Sequence, residues 1–172
     1  DPIARQEAQA KAEAYEQVFT DAAAFEEIEM DDTLIQTIRD QLDQEGYKAQ
    51  SIEEVMRAED QSGETLGYAF TVVTSEGYGG DIQFSMGVQN DGTLNGISIL
   101  SIGETAGLGM NADTPAFKDQ FVGKQVEKLQ YTKNGATQDD EINAISGATV
   151  TTNAMTNGVN AGLCAFRVME GG

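Results

Sequence analysis

Three consecutive segments between residues 66 and 102 have the composition of β-strands, and they constrain the fold more than any other feature of this chain. They read LGYAFTVVT at residues 66–74, DIQFSMGVQ at 81–89 and TLNGISILSI at 93–102. All three are rich in β-branched and aromatic residues, which strands favour. Asn90, Asp91 and Gly92 separate the last two, and these residue types adopt the positive φ angles of a hairpin turn. The segments therefore predict three antiparallel strands.

Helical patterns precede these strands. Residues 3–28 are rich in Ala, Glu and Gln, a composition that favours one helix or two. A further helix is expected to begin at Asp31, Asp32 or Thr33 and to stop at Gly46. Residues 1–60 are therefore interpreted as a helical segment.

Shorter elements and one long helix follow the strands. Residues 114–123 predict a short helix with Pro115 in its first turn, and residues 125–133 predict another strand. Apolar residues then recur at intervals of four, four and three, which predicts an amphipathic helix from about Thr152 to Met169. These residues are Met155, Val159, Leu163 and Phe166. The pattern predicts an α+β fold with N-terminal helices, an antiparallel β-sheet and a C-terminal helix.

Composition excludes several classes of function. The chain has 172 residues, enough for one folded unit, and its 10 basic and 29 acidic residues give a net charge of −19 that repels nucleic acid. It has no histidine, so a Ser-His-Asp triad and imidazole metal ligands are excluded. The one cysteine, Cys164, closes no internal disulfide and lies among apolar residues, so we expect a buried, inert thiol. No metal site is expected.

A cluster of hydroxyl residues lies directly before the last helix. Its members are Ser146, Thr149, Thr151 and Thr152. The first amide groups of a helix are unpaired and its dipole favours an anion, so this position suits a phosphate. Gly147 and Ala148 leave backbone donors uncovered, so a phosphate could bind without a lysine. The alternative is ordinary N-capping by Thr151 or Thr152, which needs only one hydroxyl.

The segment SGAT at residues 146–149 resembles the flavin-attachment motif of the FMN-binding domain family. That family includes the G subunit of the Rnf electron-transport complex and the C subunit of the sodium-translocating NADH:quinone oxidoreductase. The resemblance covers roughly residues 66 to 168 and includes further segments in the same order. These are GYGGDI at residues 77–82, NDGTLNGISILS at 90–101, ETAGLG at 104–109 and FKDQFVGK at 117–124.

The resemblance implies that a flavin transferase joins FMN through its phosphate to the hydroxyl of Thr149. Ser146 and Thr151 would hydrogen-bond the phosphate or hold the loop, and the amides at Gly147 and Ala148 would face it. Residues near the flavin ring would be Tyr78, Glu104, Thr105, Gly107, Leu108 and Gly109. Each of these has a plainer alternative, in which the glycines connect strands, Leu108 is core and Tyr78 is a loop aromatic.

The same resemblance implies an electron-transfer subunit of an Rnf-type complex on the extracytoplasmic face of the bacterial cytoplasmic membrane. A transmembrane helix before Asp1 would anchor it, residues 1–60 would follow that anchor, and residues 61–172 would form the FMN-binding domain. Its partners would be the membrane subunits of the complex and the flavin transferase. The flavin would carry electrons while the protein adjusts its potential and exposure. We expect the isolated domain to be a monomer without turnover of its own.

Two positions depart from the family pattern. Asn143 stands three residues before the motif serine, where the family has Asp, and Ala106 stands where the family loop has Pro. Asparagine keeps a hydrogen-bond acceptor and loses the charge. The loss of charge at Asn143 leaves open a flavin-free binding domain. Independently of these departures, a stand-alone extracellular FMN electron shuttle is a further alternative.

Overall fold

A computed structural model describes residues 2–76, 81–102, 115–126, 128–144 and 149–171. Four α-helices within these residues are α1 (Pro2–Val18), α2 (Asp32–Glu45), α3 (Pro115–Lys118), which continues into a 3₁₀ turn (Asp119–Phe121), and α4 (Thr149–Gly171). The strands are β1 (Ala24–Glu27), β2 (Gln50–Glu59), β3 (Thr65–Thr74), β4 (Ile82–Gln89), β5 (Leu94–Ile102), β6 (Gln130–Thr132) and β7 (Glu141–Asn143). Among the described residues, no helix combines the length and apolar composition needed to cross a bilayer.

Strands β1 to β5 form one antiparallel sheet in sequential order. The three strands predicted between residues 66 and 102 are confirmed as β3, β4 and β5. The predicted hairpin turn is also confirmed, because Gly92 adopts a φ of 90° between β4 and β5. With its helices, this sheet confirms the predicted α+β class.

Helix α4 lies across one face of the sheet, and two of its glycines allow the close approach. A Cβ atom on Gly158 would lie 2.7 Å from Cε1 of Phe84, and one on Gly162 would overlap the side chain of Met86. Phe84 and Met86 are both fully buried in the main core. The predicted C-terminal helix is therefore confirmed, and it begins at Thr149, three residues earlier than its apolar spacing suggested.

Helix α1 covers the opposite face of the sheet. Phe19, just after its end, packs against Gly67 of β3 and Gly87 of β4, where added Cβ atoms would lie 2.9 Å from its ring. The Tyr15 hydroxyl is bonded to Thr71 at 2.6 Å, and Gln17 accepts a bond from Ser98 at 2.8 Å. This second face is consequently covered by polar contacts as well as apolar ones.

Helix α2 has the boundaries that its sequence predicts. Asp31 accepts a hydrogen bond from the amide of Leu34 as the N-cap, and Gly46 ends the helix with a φ of 94°. Buried Ile38 and Leu42 face the main core. The cap residues and the apolar stripe together were enough to locate this helix.

The interpretation of residues 1–60 as helical is wrong for β1 and β2. Phe25 of β1 pairs with Ala58 of β2 and packs near the ring of Phe19, at a centroid distance of 6.4 Å. Residues 51–59 contain Glu, Met, Arg and Ala, which favour helices, but their backbone pairs along β3. Pairing with a long neighbouring strand and burial of Val55 outweigh that local preference.

The strand predicted at residues 125–133 is confirmed only over β6. Strand β6 pairs in parallel with β7 in a separate two-stranded sheet. Leu129, just before β6, is buried, and both of its backbone groups are hydrogen-bonded to the side chain of Asn160 in α4. Its backbone therefore pairs with the helix and not with a neighbouring strand.

Candidate functional site

The N-terminus of α4 is the described part of the predicted flavin site. Thr149 is the first residue of this 23-residue helix and is half-buried, so part of its side chain reaches solvent. Thr151 and Thr152 are 1% and 0% exposed. The first turn itself contains no acidic residue, so no carboxylate of that turn offsets the positive end of the helix dipole. A helix N-terminus of this kind favours an anion such as a phosphate.

A group of polar side chains joins the middle of α4 to the end of β3. The Glu76 carboxylate accepts hydrogen bonds from Asn157 Nδ2 at 2.9 Å and from Gln50 Nε2 at 2.5 Å. Gln50, which is 2% exposed, also donates to the Thr74 hydroxyl at 2.9 Å. Asn157 lies eight residues after Thr149, or about 12 Å along the helix. These bonds fix the position of Glu76, the last described residue before the segment 77–80, relative to α4.

A second group of hydrogen bonds holds the chain just before the attachment segment. The Asn143 amide donates to Gln120 Oε1 at 2.7 Å, and Gln120 Nε2 donates to the Asn143 carbonyl at 3.2 Å. The side-chain Oδ1 of Asn143 accepts from the Ala136 amide at 2.6 Å. Ile142, its neighbour, is fully buried in the core. The end of β7, two residues before residue 145, is therefore held from two sides.

A bidentate contact anchors α4 to the segment before β6. Asn160 Oδ1 accepts from the Leu129 amide at 2.7 Å, and Asn160 Nδ2 donates to the Leu129 carbonyl at 2.9 Å. Both residues are buried, at 2% and 1% exposure. A buried side-chain amide that satisfies both groups of one residue's backbone sets the position of the helix along its axis.

Charged and ionisable groups near the other end of α4 join this helix to α2. Arg167 pairs with Glu45 of α2 at 2.7 Å, and the Cys164 thiol donates to the other Glu45 oxygen at 3.3 Å. Burial, with the neighbouring carboxylate, raises the pKa of Cys164 to about 12. Burial alone would raise the pKa of Glu45, but bonds from Gln41, Cys164 and Arg167 lower it. The expectation of a buried Cys164 is confirmed, and its raised pKa keeps it protonated and unreactive.

A cavity of about 200 Å³ also lies at this far end. Val126, Leu163, Phe166 and Arg167 contribute to its lining. Leu163 lies fourteen residues after Thr149, or about 21 Å along the helix. This cavity is therefore separate from the N-terminus of α4.

Most of the predicted site residues lie outside the residues that the structure describes. They are Tyr78, Glu104, Thr105, Gly107, Leu108, Gly109, Ser146, Gly147 and Ala148. Thr149 and Thr151 are described, and both lie in the first turn of α4. The roles proposed for all these residues stay predictions.

Sequence reasoning missed four polar residues that make the hydrogen bonds described above: Gln50, Glu76, Gln120 and Asn157. Glu76 and Asn157 are 81 positions apart, and Gln120 and Asn143 are 23 apart. No periodic pattern connects such positions. The one signal was Asn143 itself, which the motif singled out without indicating its partners.

Comparison with known proteins places this chain among flavoprotein sequences. Residues 77–163, about half of the chain, match the model of the FMN-binding domain family. The G subunit of the Na⁺-translocating ferredoxin:NAD⁺ oxidoreductase complex of Acetobacterium woodii is 36% identical over 108 residues, 62% of this chain and 52% of that protein. The G subunit of the proton-translocating complex of Clostridium ljungdahlii is 38% identical over 98 residues, 57% of this chain and 52% of that protein. The chain spans about half the length of these curated relatives.

A further relative and a solved structure also match parts of this chain. The C subunit of the Na⁺-translocating NADH-quinone reductase of Pasteurella multocida is 41% identical over 80 residues, 42% of this chain and 31% of that protein. The crystal structure of NqrC from Shewanella oneidensis has a TM-score of 0.56 and 21% identity, and the match covers 68% of this chain and 58% of that one. This structural likeness supports the fold described above.

Proposed function

Because the chain belongs to the FMN-binding domain family, we propose that it is an electron-transfer flavoprotein subunit of an Rnf-type membrane complex, with FMN joined through its phosphate to Thr149. The observation that carries the proposal is the position of Thr149. Its half-buried side chain begins a long helix whose first turn has no acidic residue. The relatives named as G subunits of ion-translocating oxidoreductase complexes support the assignment to such a complex.

The protein's own contribution is to hold the cofactor. A phosphodiester on Thr149 would carry one negative charge, which the amides and dipole of α4 stabilise without a basic residue. The bonds of Glu76 to Gln50 and Asn157 hold Glu76, the last described residue before the segment that contains Tyr78, close to the same helix. When bound, FMN supplies one-electron and two-electron redox chemistry. Covalent attachment keeps the cofactor from dissociating, so a tight binding pocket is unnecessary.

Attachment needs a flavin donor and a transferase. The new bond joins Thr149 Oγ to the FMN phosphorus of a flavin dinucleotide. The pyrophosphate bond of that donor breaks, a nucleoside monophosphate leaves, and the hydroxyl proton passes to solvent. No reduction or oxidation occurs in this step. A transferase is thus the first partner that the proposal requires.

The proposal also assigns the domain to the extracytoplasmic face of the membrane, with the membrane subunits of the complex as electron-transfer partners. A reporter fused to the C-terminus of the full-length protein tests the location. Activity of a reporter that folds only outside the cytoplasm is expected. Activity of a cytoplasm-only reporter would contradict the assignment.

The decisive experiment is intact mass and peptide mapping after co-expression with a flavin transferase. We expect a mass increase of one FMN less one water on the peptide that contains Thr149, and loss of that increase in Thr149→Ala. Thr33→Ala, an exposed threonine in the first turn of α2, serves as the matched control and should be modified normally. An unmodified chain beside a related domain that is flavinylated in parallel would support the flavin-free alternative.

A further inference from the structure

The loop between β6 and β7 has an unusual arrangement of side-chain acceptors. Three consecutive amides, those of Ala136, Thr137 and Gln138, donate to side chains of β7. Glu141 accepts from Thr137 at 3.0 Å and from Gln138 at 2.9 Å, and Asn143 accepts from Ala136 at 2.6 Å. These bonds connect the loop to the end of β7, from which residues 145–148 lead to Thr149.

The charge in this loop is already supplied by Glu141. Hydrogen bonds from the Thr137 and Gln138 amides lower the pKa of that carboxyl, so it stays ionised at neutral pH. Glu141 and Asn143 are two positions apart on one strand, and both accept hydrogen bonds from neighbouring amides of the same loop. A second carboxylate at position 143 would lie near a like charge, whereas an amide oxygen accepts the same bond without repulsion.

A second contact holds the same strand end from the other side. Gln120, half-buried in the 3₁₀ turn, uses its amide group to pair with both backbone groups of Asn143. The Ala144 amide continues the pairing by donating to the Thr132 carbonyl at 2.9 Å. Hydrogen bonds therefore hold the backbone up to the residue before the attachment segment.

We propose that Gln120 and Asn143 are positioning residues for the modification of Thr149, and that position 143 requires an acceptor oxygen but does not require a charge. This inference rests on the proposed function, because it concerns how the chain presents Thr149 to the transferase. Gln120 acts through the backbone of Asn143, and Asn143 acts through the loop amide of Ala136. Neither residue needs to touch the flavin.

The test measures initial rates of flavinylation in the presence of a flavin transferase and a flavin dinucleotide, read by intact mass. The unaltered chain and Asn143→Asp should be modified at rates within about threefold of each other. Asn143→Ala and Gln120→Ala should be roughly five- to tenfold slower, the factor expected from losing an ordinary hydrogen bond. Gln130→Ala, an exposed glutamine of β6, is the matched control and should keep the original rate.

The outcomes separate this inference from the proposed function. Rapid modification of Asn143→Asp beside a chain that is unmodified or tenfold slower would show that the charge is required, and would overturn the inference while leaving Thr149 as the attachment site. An unchanged rate in Gln120→Ala would overturn its positioning role. Absence of modification in every form, with a related domain modified in parallel, would overturn both proposals.

A measurement without the transferase gives an independent check. Hydrogen exchange at the Ala136 amide should be faster by about fivefold or more in Asn143→Ala, and close to the original rate in Asn143→Asp. Equal protection in all three forms would show that the Asn143 side chain does not hold the loop in solution, and would overturn its positioning role.

Discussion

Replacing Asn160 with alanine should be among the most destabilising single changes in this chain. The substitution removes both hydrogen bonds to Leu129 and leaves its amide and carbonyl groups buried without these partners. An unpaired buried backbone group costs about 1–3 kcal/mol, so the two groups together cost about 2–6 kcal/mol. Since the free energy of unfolding of such domains is about 5–15 kcal/mol, the variant should still fold.

Urea denaturation followed by circular dichroism measures this effect. With a urea m-value of about 2 kcal/mol/M, in the middle of the usual range, the midpoint should fall by roughly 1–3 M for Asn160→Ala. Gln130→Ala removes a side chain whose bond to Asp140 is exposed, and it should change the free energy of unfolding by less than about 0.5 kcal/mol. A loss below about 1 kcal/mol in Asn160→Ala would refute the argument, because it would mean that water or relaxation satisfies Leu129.

Three further predictions concern other buried or charged groups. Ser85 Oγ is buried in β4 without a hydrogen-bond partner among the described residues. Ser85→Ala should therefore raise the free energy of unfolding by up to about 1 kcal/mol in the same urea assay. A free energy of unfolding below that of the unaltered chain would contradict this. Because burial raises the pKa of Cys164 to about 12, alkylation of the native chain at pH 8 should be at least about a hundredfold slower than alkylation of the urea-unfolded chain; comparable rates would show that the thiol is exposed. The folded pKa of Glu45 is lowered despite the opposing effect of burial, so its contribution to stability is present above pH 4.5 and is lost as pH falls below that value. Glu45→Gln should therefore flatten the acid side of the stability profile, and an unchanged profile would exclude this contribution.

Local patterns predicted the elements whose signals lie within a few residues. The turn at residues 90–92 needs Gly92 at a positive φ, and the cap residues Asp31 and Gly46 bound α2 in the sequence as they do in the structure. The spacing of apolar residues also located α4. Each of these features depends on contacts between near neighbours, so the chain alone was sufficient.

The same reasoning failed where the decisive contacts are distant. Residues 51–59 are good helix formers by composition, and they become β2 only because β3 offers a paired edge and the core buries Val55. Phe25 likewise belongs to a strand because its ring packs near Phe19 on the sheet. Intrinsic helix propensity contributes less free energy than such strand pairing and burial.

The candidate site divides in a similar way. The sequence by itself determined Thr149 as the candidate attachment residue and identified Asn143 as a departure from the motif. Only the tertiary structure brought Glu76 to Asn157 and Gln120 to Asn143, across 81 and 23 positions. The physical reason is that helix α4 and strand β7 bury apolar faces against the rest of the fold, and this burial decides which distant polar groups meet.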